Sequence, residues 1–196
     1  VPALMSGELV KGLTVVISPL QSLMKDQVDN LRKYSITDAV TINGLLDPIE
    51  RSESFERVEN GTASILYISP ESLRSKSIER LLLGRKIVRF VIDEAHCFSS
   101  WGQDFRVDYL YIGKFIREYQ QKKKCKNPIP VSCFTATAKQ KVVQDICDYF
   151  KQTLNLDLEL FASTASRTNL RYSVIHADSD NDKYLKLREL VAESNC

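Results

Sequence analysis

Residues 87–93 form an apolar, β-branched run that ends in Asp93-Glu94-Ala95-His96, so two adjacent carboxylates and an imidazole stand at the end of one element. Such a pair suits phosphoryl transfer from a nucleotide to water. Asp93 would hold Mg²⁺ through water, because that ion keeps much of its hydration shell and takes few protein carboxylates. Glu94 would orient and deprotonate the attacking water. Taken alone, the same two residues serve equally as a helix N-cap with an acidic first turn. The neighbouring loop shifts that balance. Residues 97–106, Cys-Phe-Ser-Ser-Trp-Gly-Gln-Asp-Phe-Arg, carry three aromatics, a glycine and an arginine with neither helical nor strand period. Aromatic faces interleaved with Arg are what single-stranded nucleic acid requires, since every base has a π-face to stack. A buried indole with a hydrogen-bonded N–H is the other use open to Trp101.

These residues need a scaffold that brings strand ends to one edge. Short apolar runs occupy residues 14–18, 39–42, 64–69, 87–93, 130–135 and 158–163, and each of the first five is followed by a helical or loop-helix segment. Continuous rather than alternating apolar runs predict strands covered on both faces, hence an α/β fold with a parallel sheet and helices on either side. In such a sheet ligands sit at the carboxyl ends of the strands. Four polar clusters meet there: Ser18-Pro19-Leu20, Ser69-Pro70-Glu71, the Asp93 to His96 run and Thr135-Ala136-Thr137-Ala138. Ser18 and Ser69 are candidate N-caps with proline at the first helical position, and Gln21 could complete a capping box with Ser18. Leu20, Leu23, Met24, Val28, Leu31 and Tyr34 recur at helical spacing and are expected to face the core.

Composition sets wider bounds. Twenty-seven Lys and Arg against 25 Asp and Glu give a net charge of +2, so any nucleic-acid contact must come from local placement of charge. The cysteines include no C-x-x-C pair, which argues against a zinc or dithiol site. No apolar stretch approaches the roughly 18 residues a membrane helix needs, and no membrane partner is expected. Residues 122–126 read as a solvated helix end, with phosphate contact or nuclear targeting as the other uses of their lysines. The pattern changes near Ser166, and residues 166–196 read as a linker and the start of a second domain after a first domain of residues 1–165.

Asp93-Glu94-Ala95-His96-Cys97 with Ser99, Trp101-Gly102 and Asp104-Phe105-Arg106 resembles the DEAH box and aromatic-rich loop of RecQ-family, superfamily-two helicases. Residues 14–27 (TVVISPLQSLMKDQ) resemble that family's motif Ia, residues 65–73 (ILYISPESL) its motif Ib and residues 134–138 (FTATA) its motif III. Phe161 with residues 166–170 resembles the passage into the second lobe. The resemblance implies a RecA-like lobe of an ATP-driven, Mg²⁺-dependent enzyme that moves 3′ to 5′ on single-stranded DNA and unwinds duplexes. It implies catalytic roles for Asp93, Glu94 and His96. Coupling of DNA to hydrolysis would fall to Trp101, Phe105, Arg106, Thr135 and Thr137, although a satisfied turn hydroxyl is the other use of the two threonines. DNA contact would fall to Ser18, Pro19, Leu20, Ser69, Trp101 and Arg106, helped by helix N-termini, which suit phosphate oxygens.

The chain departs from the family at Ser100 and Gln103, where Gln and His are common, and at Val107 and Thr168, where proline is common. Gln103 can hydrogen-bond but does not titrate near neutral pH. We therefore read a divergent member. None of the seven glycines lies in G-x-x-x-x-G-K-[ST]: Gly113-Lys114 has Asp108 in place of the first glycine and Phe115 in place of Ser or Thr. The resemblance places that phosphate cradle just before Val1, so an N-terminally truncated lobe is expected. Its partners would be a P-loop segment and a second lobe of the same parent protein, and the isolated chain would hydrolyse ATP negligibly. A bacterial cytoplasm is favoured over a nucleus. Two other readings use the same residues: a DEAD- or DEAH-type RNA helicase, and a degenerate lobe that binds nucleic acid without catalysis.

Overall fold

The computed structural model describes residues 12–99, 106–136, 139–162 and 173–193. Two compact units divide it, Val1–Glu159 and Leu160–Cys196.

In the first unit five parallel strands form one sheet: β1 (Leu13–Ile17), β2 (Ala39–Ile42), β3 (Ile65–Ile68), β4 (Ile87–Ile92) and β5 (Val131–Cys133), in the order β2-β3-β1-β4-β5. Each coincides with one of the first five apolar runs. Strands β1 to β3 are buried along their whole length, as continuous apolar sequence requires. The sixth run is a correction. Residues 158–162 form no strand, and Leu160 and Phe161 are 63% and 85% exposed. Apolar composition supplies the side chains of a strand but not the neighbouring edge that its backbone must pair with.

The helices of this unit are α1 (Gln21–Lys33), α2 (Pro48–Glu59), α3 (Lys76–Leu83), α4 (Arg106–Lys122) and α5 (Gln140–Leu154), with 3₁₀ turns η1 (Pro70–Arg74) and η2 (Ala95–Phe98). Both faces of the sheet are covered, unequally. On one face Met24 and Val28 of α1 pack on Val16, Ala39, Ile65 and Tyr67. On the other, Val58 of α2, Leu82 of α3, Ile112 of α4 and Ile146 of α5 share a larger core with Val15, Ile17 and Phe90. Period-two alternation along β1 therefore sends Leu13, Val15 and Ile17 to the large core and Val16 to the small one. The stripe expected on α1 is narrower than its spacing suggested. Leu20 and Tyr34, at 48% and 80% exposed, lie at the ends of the helix, beyond the reach of the sheet.

Helix starts also differ from expectation. The N-cap of α1 is Leu20, not Ser18, and no side chain caps it. Ser69 does precede Pro70 at the start of η1, but its hydroxyl pairs with Ser72 Oγ at 2.8 Å rather than with a backbone N–H. A full capping box stands instead at α2, where Asp47 accepts from the Ile49 and Glu50 N–H groups and Glu50 reaches back to Asp47 N.

Aromatic packing locks η2 in place. The Phe98 ring centroid lies 5.2 Å from Tyr109, 4.6 Å from Tyr149 and 5.3 Å from Phe150. Gly113 of α4 lies against the same cluster: its N–H donates to Tyr149 Oη at 2.8 Å, and that hydroxyl donates to Leu110 O at 2.9 Å. A Cβ on Gly113 would stand 2.4 Å from Tyr149 Oη and 2.6 Å from Thr153 Cγ2. Gly113→Ala gains about 1 kcal/mol of helix propensity but overpacks a site whose phenol is held by two hydrogen bonds, at a cost of about 1–3 kcal/mol. The balance is expected to be a loss of up to about 2 kcal/mol, read as a lower midpoint of urea unfolding; a raised midpoint would contradict this packing.

The second unit contains α6 (Asp180–Glu193), opened by Ser179 Oγ accepting from Asp182 N at 3.1 Å and braced by Lys186 against Asp182 at 3.1 Å. The Lys186 contact, with a smaller contribution from the Asp178 N–H, holds the Asp182 carboxyl below its usual range. No helix among the described residues is long and apolar enough to cross a membrane.

Candidate active-site edge

Strand order decides which loops become neighbours. With β1 between β3 and β4, the carboxyl ends of β3, β1, β4 and β5 lie side by side. Ser18 N–H donates to Ile68 O at 3.1 Å, Asp93 N–H to Ile17 O at 2.9 Å, and Phe134 N–H to Ile92 O at 2.8 Å. The first three polar clusters and, of the fourth, Thr135 and Ala136 are thereby brought to one edge. A fifth joins them. Asn43-Gly44 closes β2, and Gln21 of α1 accepts from Gly44 N–H at 3.1 Å while donating to Glu71 of η1 at 3.4 Å. The signal for it was in the sequence, an apolar run ending in Asn-Gly, much as polar residues ended the other four.

At the centre, all four polar groups of Asp93 are engaged. Its N–H is bonded to Ile17, its C=O accepts from Tyr109 Oη at 2.8 Å, its Oδ1 accepts from Glu94 N–H at 3.0 Å and its Oδ2 from Ser18 Oγ at 3.3 Å. Glu94 follows in the left-handed region, at φ 50° and ψ 44°. That conformation is costly for a residue with a Cβ and is retained where the surroundings over-determine it. Here it turns the chain sharply off β4 into η2. Glu94 is the N-cap of η2, yet no side chain makes a capping bond there. The capping use of Asp93-Glu94 is therefore not the one adopted.

Glu94 Oε2 lies 3.1 Å from His96 Nδ1, and the same ring nitrogen lies 3.2 Å from Thr135 Oγ1. One imidazole thus joins the carboxylate at the end of β4 to the hydroxyl beyond β5. Behind it, Ser99 Oγ donates to Asp145 Oδ2 of α5 at 2.7 Å and is buried. Among the described residues no Lys or Arg forms an ion pair with Asp93, and its charge is felt by its neighbours. Burial, followed by the carboxylates of Glu94 and Asp93, pushes the Cys97 thiol up; burial and then Asp93 push the Tyr67 phenol up. Tyr109 is raised further still, chiefly by burial, and so remains a donor at every working pH. Burial also raises the Cys133 thiol to about 12, so neither Cys97 nor Cys133 offers a thiolate.

Ser18 and Ser69 are 2% and 1% exposed, and both hydroxyls are spent inside the fold, on Asp93 and Ser72. Pro19 is half-buried and Leu20 exposed on the rim. Trp101, Phe105 and Thr137 lie outside the described residues, as does the side chain of Arg106, whose backbone opens α4. The contacts missed by sequence reading are those of Ser18, Tyr109 and Asp145, which join residues 75, 16 and 46 positions apart. No local pattern signals them.

Residues 1–146 match the DEAD/DEAH box helicase family. The chain belongs to that family. The chain is 37% identical to the ATP-dependent DNA helicase hus2/rqh1 of Schizosaccharomyces pombe over 99% of this chain and 14% of that protein. It is 38% identical to the ATP-dependent DNA helicase RecQ of Bacillus subtilis over 95% of this chain and 30% of that protein. These RecQ-type relatives bear out the resemblance carried by the DEAH run and its loop. The chain spans less than a third of either relative's length. A solved structure of the helicase MrfA superposes with a TM-score of 0.64 at 16% identity, covering 98% of this chain and 34% of that one, which shows a shared RecA-like fold.

The carboxylates at this edge fit Mg²⁺. Asp93 and Glu94 offer oxygen only, the charge of Asp93 is uncompensated by a cation among the described residues, and no group of three or more His, Cys, Asp or Glu among them forms a transition-metal cage. One or two carboxylates and waters are what a nucleotide-bound Mg²⁺ takes from a protein.

Proposed function

We propose that this chain is part of the motor of a RecQ-type DNA helicase, which hydrolyses ATP with Mg²⁺ to move 3′ to 5′ along single-stranded DNA and unwind duplexes. The observation that carries the reading is the pair of carboxylates at the end of β4, met by Ser18 and His96, with the Asp93 backbone held by Tyr109, and not consumed by helix capping.

Asp93 would hold the metal, and its orientation is set by Ser18 Oγ and Glu94 N–H on its two oxygens. The chemistry Mg²⁺ would supply when bound is neutralisation of charge on the phosphates during transfer. Glu94, with one oxygen anchored near His96, accepts the proton of the attacking water on the other. His96 links the anchored oxygen, Oε2, to Thr135, so a shift at Thr135 reaches Glu94 in two contacts. On the DNA side, α1 starts without a side-chain cap, leaving its first-turn N–H groups for phosphate oxygen beside Pro19 and Leu20. Ser18 and Ser69 shape those turns from within. Trp101 and Arg106 contact the DNA, and together with Phe105, Thr135 and Thr137 they pass DNA occupancy to the hydrolytic pair. The names of the relatives support DNA as the track.

The test is strand separation by the full-length protein on duplexes with a single-stranded 3′ or 5′ tail. ATP-dependent unwinding is expected with the 3′ tail and not with the 5′ tail. Unwinding from the 5′ tail alone would overturn the polarity, and none from either would overturn the helicase reading.

A further inference from the structure

Asp93 is restrained by four hydrogen bonds, and the one to its carbonyl comes from a different helix. Tyr109 stands one turn into α4, three residues after Arg106, where the aromatic-rich loop ends. It is fully buried, its ring packs edge-on against Phe98 at 5.2 Å, and its hydroxyl donates to Asp93 O at 2.8 Å. The residue before it is also tied down. Arg74 of η1 donates from Nε to Asp108 Oδ1 at 2.9 Å and lies 4.4 Å over the Tyr111 ring. The first turn of α4 is therefore held between the turn after β3 and the backbone carbonyl of Asp93 after β4.

We propose that Tyr109 is a positioning residue for Asp93, whose hydroxyl converts the placement of the first turn of α4 into the placement of the metal-holding carboxylate. This rests on the function proposed above, and it adds a route from the loop to the hydrolytic pair that does not pass through His96 and Thr135. Residues 100–105 lead in sequence into α4 at Arg106, so a shift passed to that residue enters the helix one turn before Tyr109. A rigid helix carries a shift at its first residue to its fourth, and the hydroxyl is bonded directly to the Asp93 backbone. Packing alone would need only the ring, which Phe supplies; the hydroxyl supplies the link.

Tyr109→Phe in the full-length protein separates the two. The expected result with saturating single-stranded DNA is a kcat lowered about tenfold, as loss of one hydrogen bond to a reacting assembly allows, with the KM for ATP within about twofold. Mn²⁺ binding, followed in the absence of nucleotide by loss of the free-ion EPR signal, is expected to weaken about threefold or more by the same reasoning. A purely structural hydroxyl would lower the thermal midpoint and leave metal affinity unchanged. Arg74→Gln, at a largely exposed side chain, is the companion variant if Tyr109→Phe does not fold, with kcat expected to fall about threefold. A folded variant whose kcat and Mn²⁺ affinity stay within twofold of wild type overturns this inference alone. A wild-type protein without ATPase activity overturns the proposed function and this inference with it.

Discussion

Glu94→Gln in the full-length protein is expected to lower ATP turnover by about 100-fold or more while ATP still binds, because removal of a positioned general base costs about 10²–10⁴ in rate. The substitution is a narrow one. Glutamine keeps an oxygen that can accept from His96 Nδ1 at the 3.1 Å now spanned by the carboxylate, and the left-handed backbone at φ 50° is unchanged in its demands. What is lost is the capacity to take a proton from water. Fluorescent-nucleotide titration alongside steady-state hydrolysis checks both halves of the expectation. Turnover within tenfold of wild type would remove Glu94 from the base role, and loss of nucleotide binding would make its part structural.

Asp93→Asn is the second large effect and has a different signature. The amide can keep the local geometry: its oxygen accepts from Glu94 N–H, and its NH₂ faces Ser18 Oγ, which accepts in place of donating. Folding is therefore retained and the charge is removed. Metal-ion stabilisation of developing charge is worth several kcal/mol, so kcat is expected to fall about 100-fold and the Mg²⁺ concentration for half-maximal activity to rise about tenfold. Partial restoration at high Mg²⁺ marks Asp93 as the metal-holding residue; a fall in kcat with an unchanged Mg²⁺ requirement assigns it elsewhere. The two variants thus separate base from metal holder, which are adjacent in sequence but face different partners.

Much of this site was legible in the chain's residue pattern. Strands β1 to β5 were visible because buried parallel strands are continuously apolar, and the rule that ligands lie at strand ends brought Ser18, Ser69, Asp93 and Thr135 to one edge. The order β2-β3-β1-β4-β5 was not, since it depends on which edges pair after collapse. Nor was the role of Ser18. Ser-Pro before an amphipathic segment matches an N-cap, yet the helix begins only at Gln21 and the hydroxyl turns to a carboxylate 75 residues away. Asp47-Pro48-Ile49-Glu50 meets the same capping criterion and satisfies it in full, which shows that the pattern is sound and that competition from a tertiary partner decided Ser18. Residues 158–163 failed as a strand for a related reason: apolar content was present and, for the described residues 158–162, a pairing edge was not. Tyr109 was hidden among the ordinary apolar positions of α4, because nothing in a helical stripe distinguishes a packed ring from one whose hydroxyl is bonded to the backbone of a residue 16 positions away.

ATP hydrolysis by the full-length wild-type protein tests the motor assignment most directly, compared without nucleic acid, with single-stranded DNA and with single-stranded RNA of the same length and sequence. Strong stimulation by DNA and little by RNA is the predicted result, with turnover in the ordinary enzyme range of about 1 s⁻¹ or more. Equal or greater stimulation by RNA, or no hydrolysis under any condition, would contradict it.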